Sequence, residues 1–189
     1  MIYVNNKVDN SQYKTTIVIG ASKLKQVLWY FTNVLFFINP LNPFSSLKVF
    51  LLRIFGAKVG KGVNIKPAVN VKFPWKLIVG DYVWIGEKVW IDNLGETVIG
   101  DHVCLSQGAM LLCGSHNYKA VTFDLIIEEI ILEEGVWISA NAIVTGGVRC
   151  RSHSVLTANS VATGDLEAYG IYQGNPAIKI RERVINSQR

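Results

Sequence analysis

Residues 77–112 read LIVGDYVWIGEKVWIDNLGETVIGDHVCLSQGAMLL, a stretch in which a branched aliphatic residue returns at every sixth position apart from one wider step. The same spacing runs from Val59 to about Ala162 and defines a set of anchors. The anchors are Val59, Ile65, Val71, Val79, Ile85, Ile91, Ile99, Leu105, Leu111, Leu132, Ile138, Val144, Cys150 and Leu156. A six-residue period fits neither an amphipathic helix nor an alternating strand, whereas hexapeptide repeats are typical of a parallel β-helix. The sequence therefore predicts an all-β fold in which three hexapeptides, about eighteen residues, close one triangular coil.

Valine or a small residue lies four positions after each of twelve anchors, which indicates a second inward position in the repeat. These residues are Val63, Val69, Val83, Val89, Val103, Ala109, Ser115, Val136, Ala142, Val148, Ser154 and Ser160. Because neighbouring strands lie about 4.8 Å apart, roughly five stacked coils would form a rod about 24 Å long. Such a rod cannot bury its ends alone, so we expect caps and partner subunits.

Two kinds of interruption break the period. After every third anchor of the early coils the step is eight residues rather than six, as from Val71 to Val79, which predicts a turn between coils. After Leu111 the next anchor comes only at Leu132, so about thirteen extra residues leave the rod within residues 114–130. A long loop on so regular a scaffold is usually functional.

The remaining segments differ in composition from the repeat. Residues 1–22 are polar, lack the apolar run of a signal peptide and are expected to be partly ordered at best. Residues 23–55 are apolar and are predicted to form short helices that cap the β-helix; residues 56–166 form the β-helix, and residues 167–189 a basic tail. The apolar run 27–38 is shorter than the about twenty residues that span a bilayer. An interfacial membrane helix, with peripheral membrane contact through residues 23–55, is the alternative interpretation of the cap.

Composition limits the class of protein. The chain has 189 residues, of which 50% are hydrophobic, and a net charge of +5, as expected of one domain with a real core. The basic residues are scattered except for Arg149 with Arg151 and for Lys179, Arg181 and Arg183, which favours an anionic ligand weakly and nucleic acid hardly at all. Cys104, Cys113 and Cys150 contain no CxxC pair, and the simplest interpretation is a reduced, cytoplasmic protein in which Cys150 is a core anchor.

Several segments resemble the hexapeptide-repeat acyltransferases, whose fold is a left-handed parallel β-helix. They are LLRIFGAKVGKGVNIKP (51–67), the run 73–119 that ends in CGSHNYK, TFDLI (122–126), GVWISANAIV (135–144) and YQGNPAIKIRER (172–183). The chain is most similar to the colanic acid biosynthesis acetyltransferases, which are related to maltose, galactoside and nodulation-factor O-acetyltransferases. The resemblance covers about 48–183. It implies a homotrimer that moves an acetyl group from acetyl-CoA to a hydroxyl of a sugar or glycan precursor without a metal.

The resemblance also suggests catalytic residues. His116 matches the family's general base, and histidine suits this role because its unperturbed pKa lies near neutrality. Asn93 matches a polar residue that helps to bind the acceptor or the developing oxyanion, although a structural ladder at a coil corner is the alternative. The expected acceptor-binding residues are Asp92, Tyr118, Phe123 and Asp124, and Asp124 could instead orient His116.

Donor binding is expected on the last coils. Small residues there would leave an outer groove open for the pantetheine arm, with an aromatic side chain at its flank. The candidate cofactor-binding residues are Trp137, Ser139, Ala140, Gly146 and Ala158. Thr163 and Arg181 match family positions near the adenosine and phosphate end, so the resemblance implies that they also bind the donor. Gly146 stands where the family usually has proline and Gly164 where it often has lysine, which suggests a looser groove and a weaker phosphate contact.

Two other classes of function are weighed against this one. A zinc-dependent β-helix enzyme of the carbonic-anhydrase type needs two close histidines and a third from a neighbouring coil, whereas His102, His116 and His153 are 14 and 37 residues apart. A non-catalytic scaffold would not need a histidine at the base of a long loop beside an open groove.

Overall fold

The computed structural model describes residues 7–13, 15 and 17–186, which form a parallel β-helix with a helical cap at its first coil. In chain order the strands are β1 Lys58–Val59, β2 Asn64–Ile65, β3 Asn70–Val71, β4 Leu77–Val79, β5 Trp84–Ile85, β6 Trp90–Asp92, β7 Thr97–Ile99, β8 Cys104–Leu105, β9 Met110–Leu112, β10 Gly114–His116, β11 Leu125–Ile127, β12 Ile130–Leu132, β13 Trp137–Ile138, β14 Ile143–Thr145, β15 Arg149–Cys150, β16 Val155–Leu156, β17 Val161–Ala162, β18 Gly170–Gly174 and β19 Ala177–Glu182.

The strands form three parallel sheets, here called faces A, B and C. Face A contains β1, β4, β7, β12 and β15; face B contains β2, β5, β8, β13, β16 and β18, with β19 antiparallel at its edge; face C contains β3, β6, β9, β14 and β17. The register places each predicted anchor on the anchor of the next coil, as in Val79 on Ile99 and Ile99 on Leu132. The predicted six-residue period is therefore the spacing from one face of a coil to the next.

Inside the coil the anchors form one continuous hydrophobic core. All are buried except Val59, which is half-buried in the first coil. Among the second set of inward residues the prediction is wrong for Ser115, which is exposed on β10 because the chain leaves the coil after Leu112. Branched aliphatic side chains stack well here because each anchor lies directly above the anchor of the neighbouring coil.

The coil continues beyond the point where the sequence repeat fades. Leu166 bridges to Cys150 on face A, and Tyr172 of β18 pairs with Leu156 on face B. Both side chains are buried, so they take anchor positions in a further coil. The six-residue period does not predict these two anchors, because the step from Leu156 to Tyr172 is shorter than the earlier steps between coils.

The helical cap consists of α1 Lys23–Thr32, a π-helical turn at Asn33–Ile38 and α2 Ser45–Ile54. It supplies hydrogen-bond partners for the open edge of the first coil, which would otherwise lack them. Trp29 Nε1 donates to the carbonyl of Val71 at 2.9 Å, and the buried Lys48 Nζ donates to the carbonyl of Lys66 at 2.8 Å. Burial lowers the pKa of Lys48, whose ammonium caps backbone carbonyls. None of the helices in the described residues is long and apolar enough to cross a membrane.

The predicted loop is a short antiparallel hairpin of β10 and β11 that projects from the corner between faces C and A. Part of the N-terminal segment packs beside it: the amide of Asp9 donates to the carbonyl of Val121 at 2.9 Å, and Trp75 Nε1 donates to the carbonyl of Ile19 at 2.7 Å. Residues 1–6, 14 and 16 of the predicted polar segment, and 187–189 of the predicted tail, lie outside the described residues.

Candidate active site

His116 is the last residue of β10 and pairs in register with Leu125 of β11. Its ring lies nearly parallel to the ring of Phe123, with centroids 4.4 Å apart and planes 8° apart. The ring of Tyr13 approaches from the N-terminal segment at 6.1 Å. The hairpin and the N-terminal segment together hold the half-buried imidazole at the base of the loop.

One hydrogen bond determines what the imidazole can do. His116 Nδ1 lies 3.0 Å from the carbonyl oxygen of Phe123. A carbonyl oxygen only accepts, so the contact is a hydrogen bond when Nδ1 carries the proton and donates it. The lone pair of the neutral ring is then on Nε2, which is the atom that could take a proton from a hydroxyl.

His116 lines a cleft of about 430 Å³ that contains residues from distant parts of the chain. Its lining includes Asp92, Lys72, Phe73 and Tyr13 as well as His116. Lys72 Nζ lies 2.8 Å from Asp92 Oδ1 and forms an ion pair with it. The angles at this contact are not those of a hydrogen bond. Asp92 is a residue that the sequence predicts for the site, whereas Lys72, Phe73 and Tyr13 carry no such signal, because they belong to no repeat position and their types are common at surfaces.

Asn93 does not reach this cleft. Its side chain is fully buried, and its amide is used by one neighbour: Nδ2 donates to the carbonyl of Phe73 at 2.6 Å, and Oδ1 accepts from the amide of Phe73 at 2.9 Å. Both polar ends are therefore occupied by the backbone of the preceding coil. In this chain the side chain has the contacts of the alternative, a structural ladder at a coil corner, and the role of Asn93 toward the acceptor or an oxyanion stays a prediction.

The other predicted loop residues take different positions. Phe123 contacts His116 through both its ring and its carbonyl, so it orients the imidazole. The carboxylate of Asp124 accepts from the hydroxyl of Thr122 at 2.7 Å and makes no hydrogen bond to His116. Tyr118 is 74% exposed on the hairpin and does not line the cleft.

Five of the seven predicted donor-binding residues lie together on the outer side of face B. A cleft of about 590 Å³ there is lined by Trp137, Ser139, Ala140, Ala158 and Arg181. Trp137 Nε1 donates to the hydroxyl of Ser106 at 2.9 Å, which fixes the indole at the edge of the cleft. The small residues leave room between neighbouring coils, as a groove for an extended chain requires.

Gly146 and Thr163 lie outside this cleft. A Cβ atom on Gly146 would meet the carbonyl oxygen of Cys113 at 2.8 Å. Glycine therefore allows the base of the hairpin to approach the coil closely, which gives a structural reason for its presence. The expectation of a looser donor groove at this position is not supported, because the space is filled by backbone.

The three basic residues of the tail have different partners. Lys179 Nζ lies 2.7 Å from a carboxylate oxygen of Glu167 and 2.6 Å from one of Glu182. The guanidinium of Arg183 donates to the carbonyl of Gly135 at 2.9 Å. Arg181 lines the cleft on face B and makes no ion pair with any residue that the structure describes.

The histidines do not converge. His102 stacks on Tyr82 with ring centroids 5.4 Å apart, and His153 lies 4.9 Å from Tyr169, both at the corner between faces A and B. His116 leaves from the corner between faces C and A. Within residues 7–13, 15 and 17–186 no group of three or more His, Cys, Asp or Glu side chains could hold a metal ion.

Cys113 and Cys150 belong to the core, whereas Cys104 is half-buried. Cys113 is buried beside the hydroxyl of Thr97, with Sγ and Oγ1 3.2 Å apart. Burial raises the pKa of the Cys113 thiol, and burial likewise raises the pKa of Cys150. Both groups are therefore protonated thiols at neutral pH and poor nucleophiles.

A parallel β-helix with a histidine at the base of a projecting hairpin and a groove along one outer face defines a recognisable class of protein. The sequence is 38% identical over 165 residues, 87% of this chain and 91% of the relative, to an Escherichia coli (strain K12) protein named "Putative colanic acid biosynthesis acetyltransferase WcaF". No protein-family model matches the chain.

Solved structures show the same fold. A hexapeptide-repeat-containing acetyltransferase from Vibrio cholerae O1 biovar eltor, complexed with acetyl coenzyme A, superposes with a TM-score of 0.76 at 23% identity, over 88% of this chain and 92% of that one. A maltose O-acetyltransferase from Clostridium difficile 630 gives a TM-score of 0.72 at 19% identity, over 87% and 90% of the two chains. The chain belongs to the hexapeptide-repeat acetyltransferases and has their left-handed parallel β-helix.

Proposed function

We propose that this acetyltransferase moves the acetyl group of acetyl-CoA to a hydroxyl of a sugar or glycan precursor, with His116 as the general base. The observation that carries the proposal is the hydrogen bond from His116 Nδ1 to the carbonyl of Phe123, which leaves Nε2 free beside an open cleft. A base of this kind typically contributes about 10²–10⁴-fold to the rate.

The proposed reaction is a direct transfer of the acetyl group from the CoA sulfur to the acceptor oxygen, without an acetylated enzyme. His116 Nε2 takes the hydroxyl proton as the hydroxyl oxygen attacks the thioester carbonyl. The carbon–sulfur bond then breaks, and the thiolate of CoA receives the proton from the imidazolium. Asp124 is not needed to orient the ring, because the Phe123 carbonyl can hold the imidazolium in the same position.

The acceptor is a polar, hydroxyl-bearing molecule. Asp92 and Lys72 line the cleft of His116 and offer a carboxylate and an ammonium group to sugar hydroxyls. The names of the relatives agree with this class: one refers to colanic acid biosynthesis and one to maltose. Their likeness supports a sugar acceptor for this chain.

The donor lies in the cleft of face B. Its small and apolar lining residues, such as Ala140, Ala158 and Val155, suit the pantetheine arm, and Arg181 suits a phosphate through charge-assisted hydrogen bonds. The complex of the Vibrio cholerae structure with acetyl coenzyme A supports this donor. Since acetyl-CoA is an intracellular metabolite and Cys104, Cys113 and Cys150 are free, the proposed location is the cytoplasm.

The proposed assembly is a homotrimer. The donor cleft and the histidine cleft lie on different sides of the coil and share no lining residue, so the donor cleft of one copy can face the His116 of the next. The flat faces also carry exposed aromatic side chains: Trp84 and Trp137 on face B are each 44% exposed, and Trp90 on face C is 40% exposed. Such patches are commonly covered in closed oligomers.

An acceptor screen tests the activity. Purified protein is incubated with acetyl-CoA and a panel of free sugars, nucleotide sugars and lipid-linked glycans, and thiol release is followed by mass spectrometry of the product. We expect an acetyl ester on one sugar class. Thiol release without an acetylated sugar, or an acetylated amine, would contradict the proposed acceptor.

A further inference from the structure

The helical cap has a second apolar side that the β-helix does not cover. Within residues 24–54 thirteen large hydrophobic side chains are exposed: Leu24, Val27, Leu28, Tyr30, Phe31, Val34, Leu35, Phe36, Ile38, Leu41, Phe44, Phe50 and Ile54. We call this set the cap surface. A monomeric soluble domain rarely exposes so continuous a set of apolar residues, and such patches mark interaction sites.

The sequence pattern shows that the cap has two apolar sides. Trp29 and Phe37 face the core and are 3% and 0% exposed, whereas Leu28, Phe31 and Leu35 follow helical spacing and are more than half exposed. A helix that is apolar all round is normally buried all round. Here one side packs on the first coil, and the other side needs a different apolar environment.

The distribution of charged residues along the chain indicates which apolar environment contacts the cap surface. Residues 10–80 contain ten of the 19 basic residues and none of the 14 acidic residues of the chain. The ten are Lys14, Lys23, Lys25, Lys48, Arg53, Lys58, Lys61, Lys66, Lys72 and Lys76. The remainder of the chain is net acidic, so the positive charge is concentrated in the cap and the first coil. Lys48 is buried, and Lys61 and Lys72 pair with Asp81 and Asp92, so the other basic residues carry the argument. An apolar surface with basic flanks is complementary to an anionic lipid bilayer.

The same charge distribution disfavours a second copy as the occupant of the cap surface. Two cap surfaces in contact would bring two sets of basic residues together without a carboxylate from the same segment, and like charges across an interface are costly. We infer that the cap surface docks in the headgroup region of an anionic bilayer, with Leu28, Phe31 and Leu35 inserted and Lys23 and Lys58 at the phosphates.

Docking would also place an apolar cleft at the bilayer surface. Tyr30, Val34 and Ile38 belong to the cap surface and line a cleft of about 380 Å³ between α1 and face C. This cleft shares Lys72 and Asp92 with the cleft of His116. A cleft at the bilayer surface suits a lipid-linked acceptor. This acceptor rests on the proposed function, whereas the docking of the cap surface does not.

Vesicle flotation with the full chain tests the docking. We expect the protein to float with vesicles of phosphatidylcholine and phosphatidylglycerol, to bind pure phosphatidylcholine at least about tenfold less, and to lose binding as salt rises. The double variant L28S/F31S should weaken binding at least about tenfold, and K23Q by up to about fivefold. All three side chains are exposed, so melting should be unchanged.

A matched control removes two exposed apolar side chains elsewhere. Val184 and Ile185 are 79% and 55% exposed near the C-terminus, and V184S/I185S should float like the wild type. Equal binding to neutral and anionic vesicles, no binding, or wild-type binding by L28S/F31S would overturn the inference. So would a change in the mass of L28S/F31S by light scattering without vesicle binding, because the cap surface would then be a contact between copies. Flotation needs neither donor nor acceptor, so its failure is separate from a failure of the proposed function.

Discussion

The proposed role of His116 as a base depends on a backbone carbonyl rather than on an acidic side chain. Because the carbonyl of Phe123 can only accept, it selects the tautomer that leaves Nε2 unprotonated. The stacked ring of Phe123 restricts rotation of the imidazole at the same time. One residue therefore sets both the proton position and the plane of the proposed base.

Replacing His116 tests this arrangement. H116A should lower turnover at least about 10²-fold while the dissociation constant for acetyl-CoA stays unchanged, since the donor cleft contains no part of His116. Steady-state kinetics and calorimetry measure the two quantities. The control is H102N: His102 lies at another corner with φ 57°, a conformation that asparagine tolerates, so turnover should be kept. Near-normal turnover of H116A would refute the mechanism.

Asn93 should behave as a structural residue. N93A removes both hydrogen bonds to the buried backbone of Phe73, and an unpaired buried polar group costs about 1–3 kcal/mol. We expect a lower free energy of unfolding by denaturant titration and a kcat close to that of the wild type. A large loss of kcat at unchanged stability would instead restore the catalytic role expected from the resemblance.

At the scale of elements, the hairpin of β10 and β11 is attached to the coil by close backbone packing. The amide of Glu128 donates to the carbonyl of Cys113 at 3.0 Å, and Gly146 of the next coil lies against the same carbonyl. The hairpin thereby leaves the rod without opening it, and His116 stays close to Asp92 and Lys72.

G146A tests the attachment. The added methyl group would lie 2.8 Å from a backbone oxygen that cannot move independently, so we expect a loss of about 1–3 kcal/mol in the free energy of unfolding. G164A is the matched control, because nothing lies within 4 Å of a Cβ atom at Gly164. Equal stability of the two variants would show that the hairpin base can shift freely.

Arg181 lies on β19 at the edge of face B, and we expect it to bind the phosphates of the donor. R181A should raise the KM for acetyl-CoA with little change in the acceptor KM, because Arg181 lines the donor cleft and is absent from the histidine cleft. K179A is the control, since Lys179 is already paired with Glu167 and Glu182. An unchanged acetyl-CoA KM in R181A would place phosphate binding elsewhere.

At the scale of the whole molecule, the proposed homotrimer would place the two clefts of one chain against two different neighbours. We expect light scattering to give about three times the 21.0 kDa mass of the chain. In such a trimer each site would combine the His116 of one copy with the face B groove of another. A monomer with full activity would remove the argument for a shared site.

The sequence by itself determined the coil. A hexapeptide period depends only on which residues must face inward, so the anchors from Ile65 to Leu156 could be assigned one strand at a time. The loop that contains His116 could also be predicted, because the missing anchor between Leu111 and Leu132 can be seen in the sequence alone. The continuation through Leu166 and Tyr172 was missed, because a shorter coil breaks the count while keeping the stacking.

Only the tertiary structure decided which side chains meet at the site. Lys72, Asp92 and His116 come from different coils, and Tyr13 comes from a segment without any repeat. Asn93 and Asp92 are adjacent and equally polar, yet one is buried against Phe73 and the other faces the cleft. The physical reason is that stacking and hairpin register, not residue type, set the direction of each corner side chain, and these depend on contacts between residues far apart in the chain.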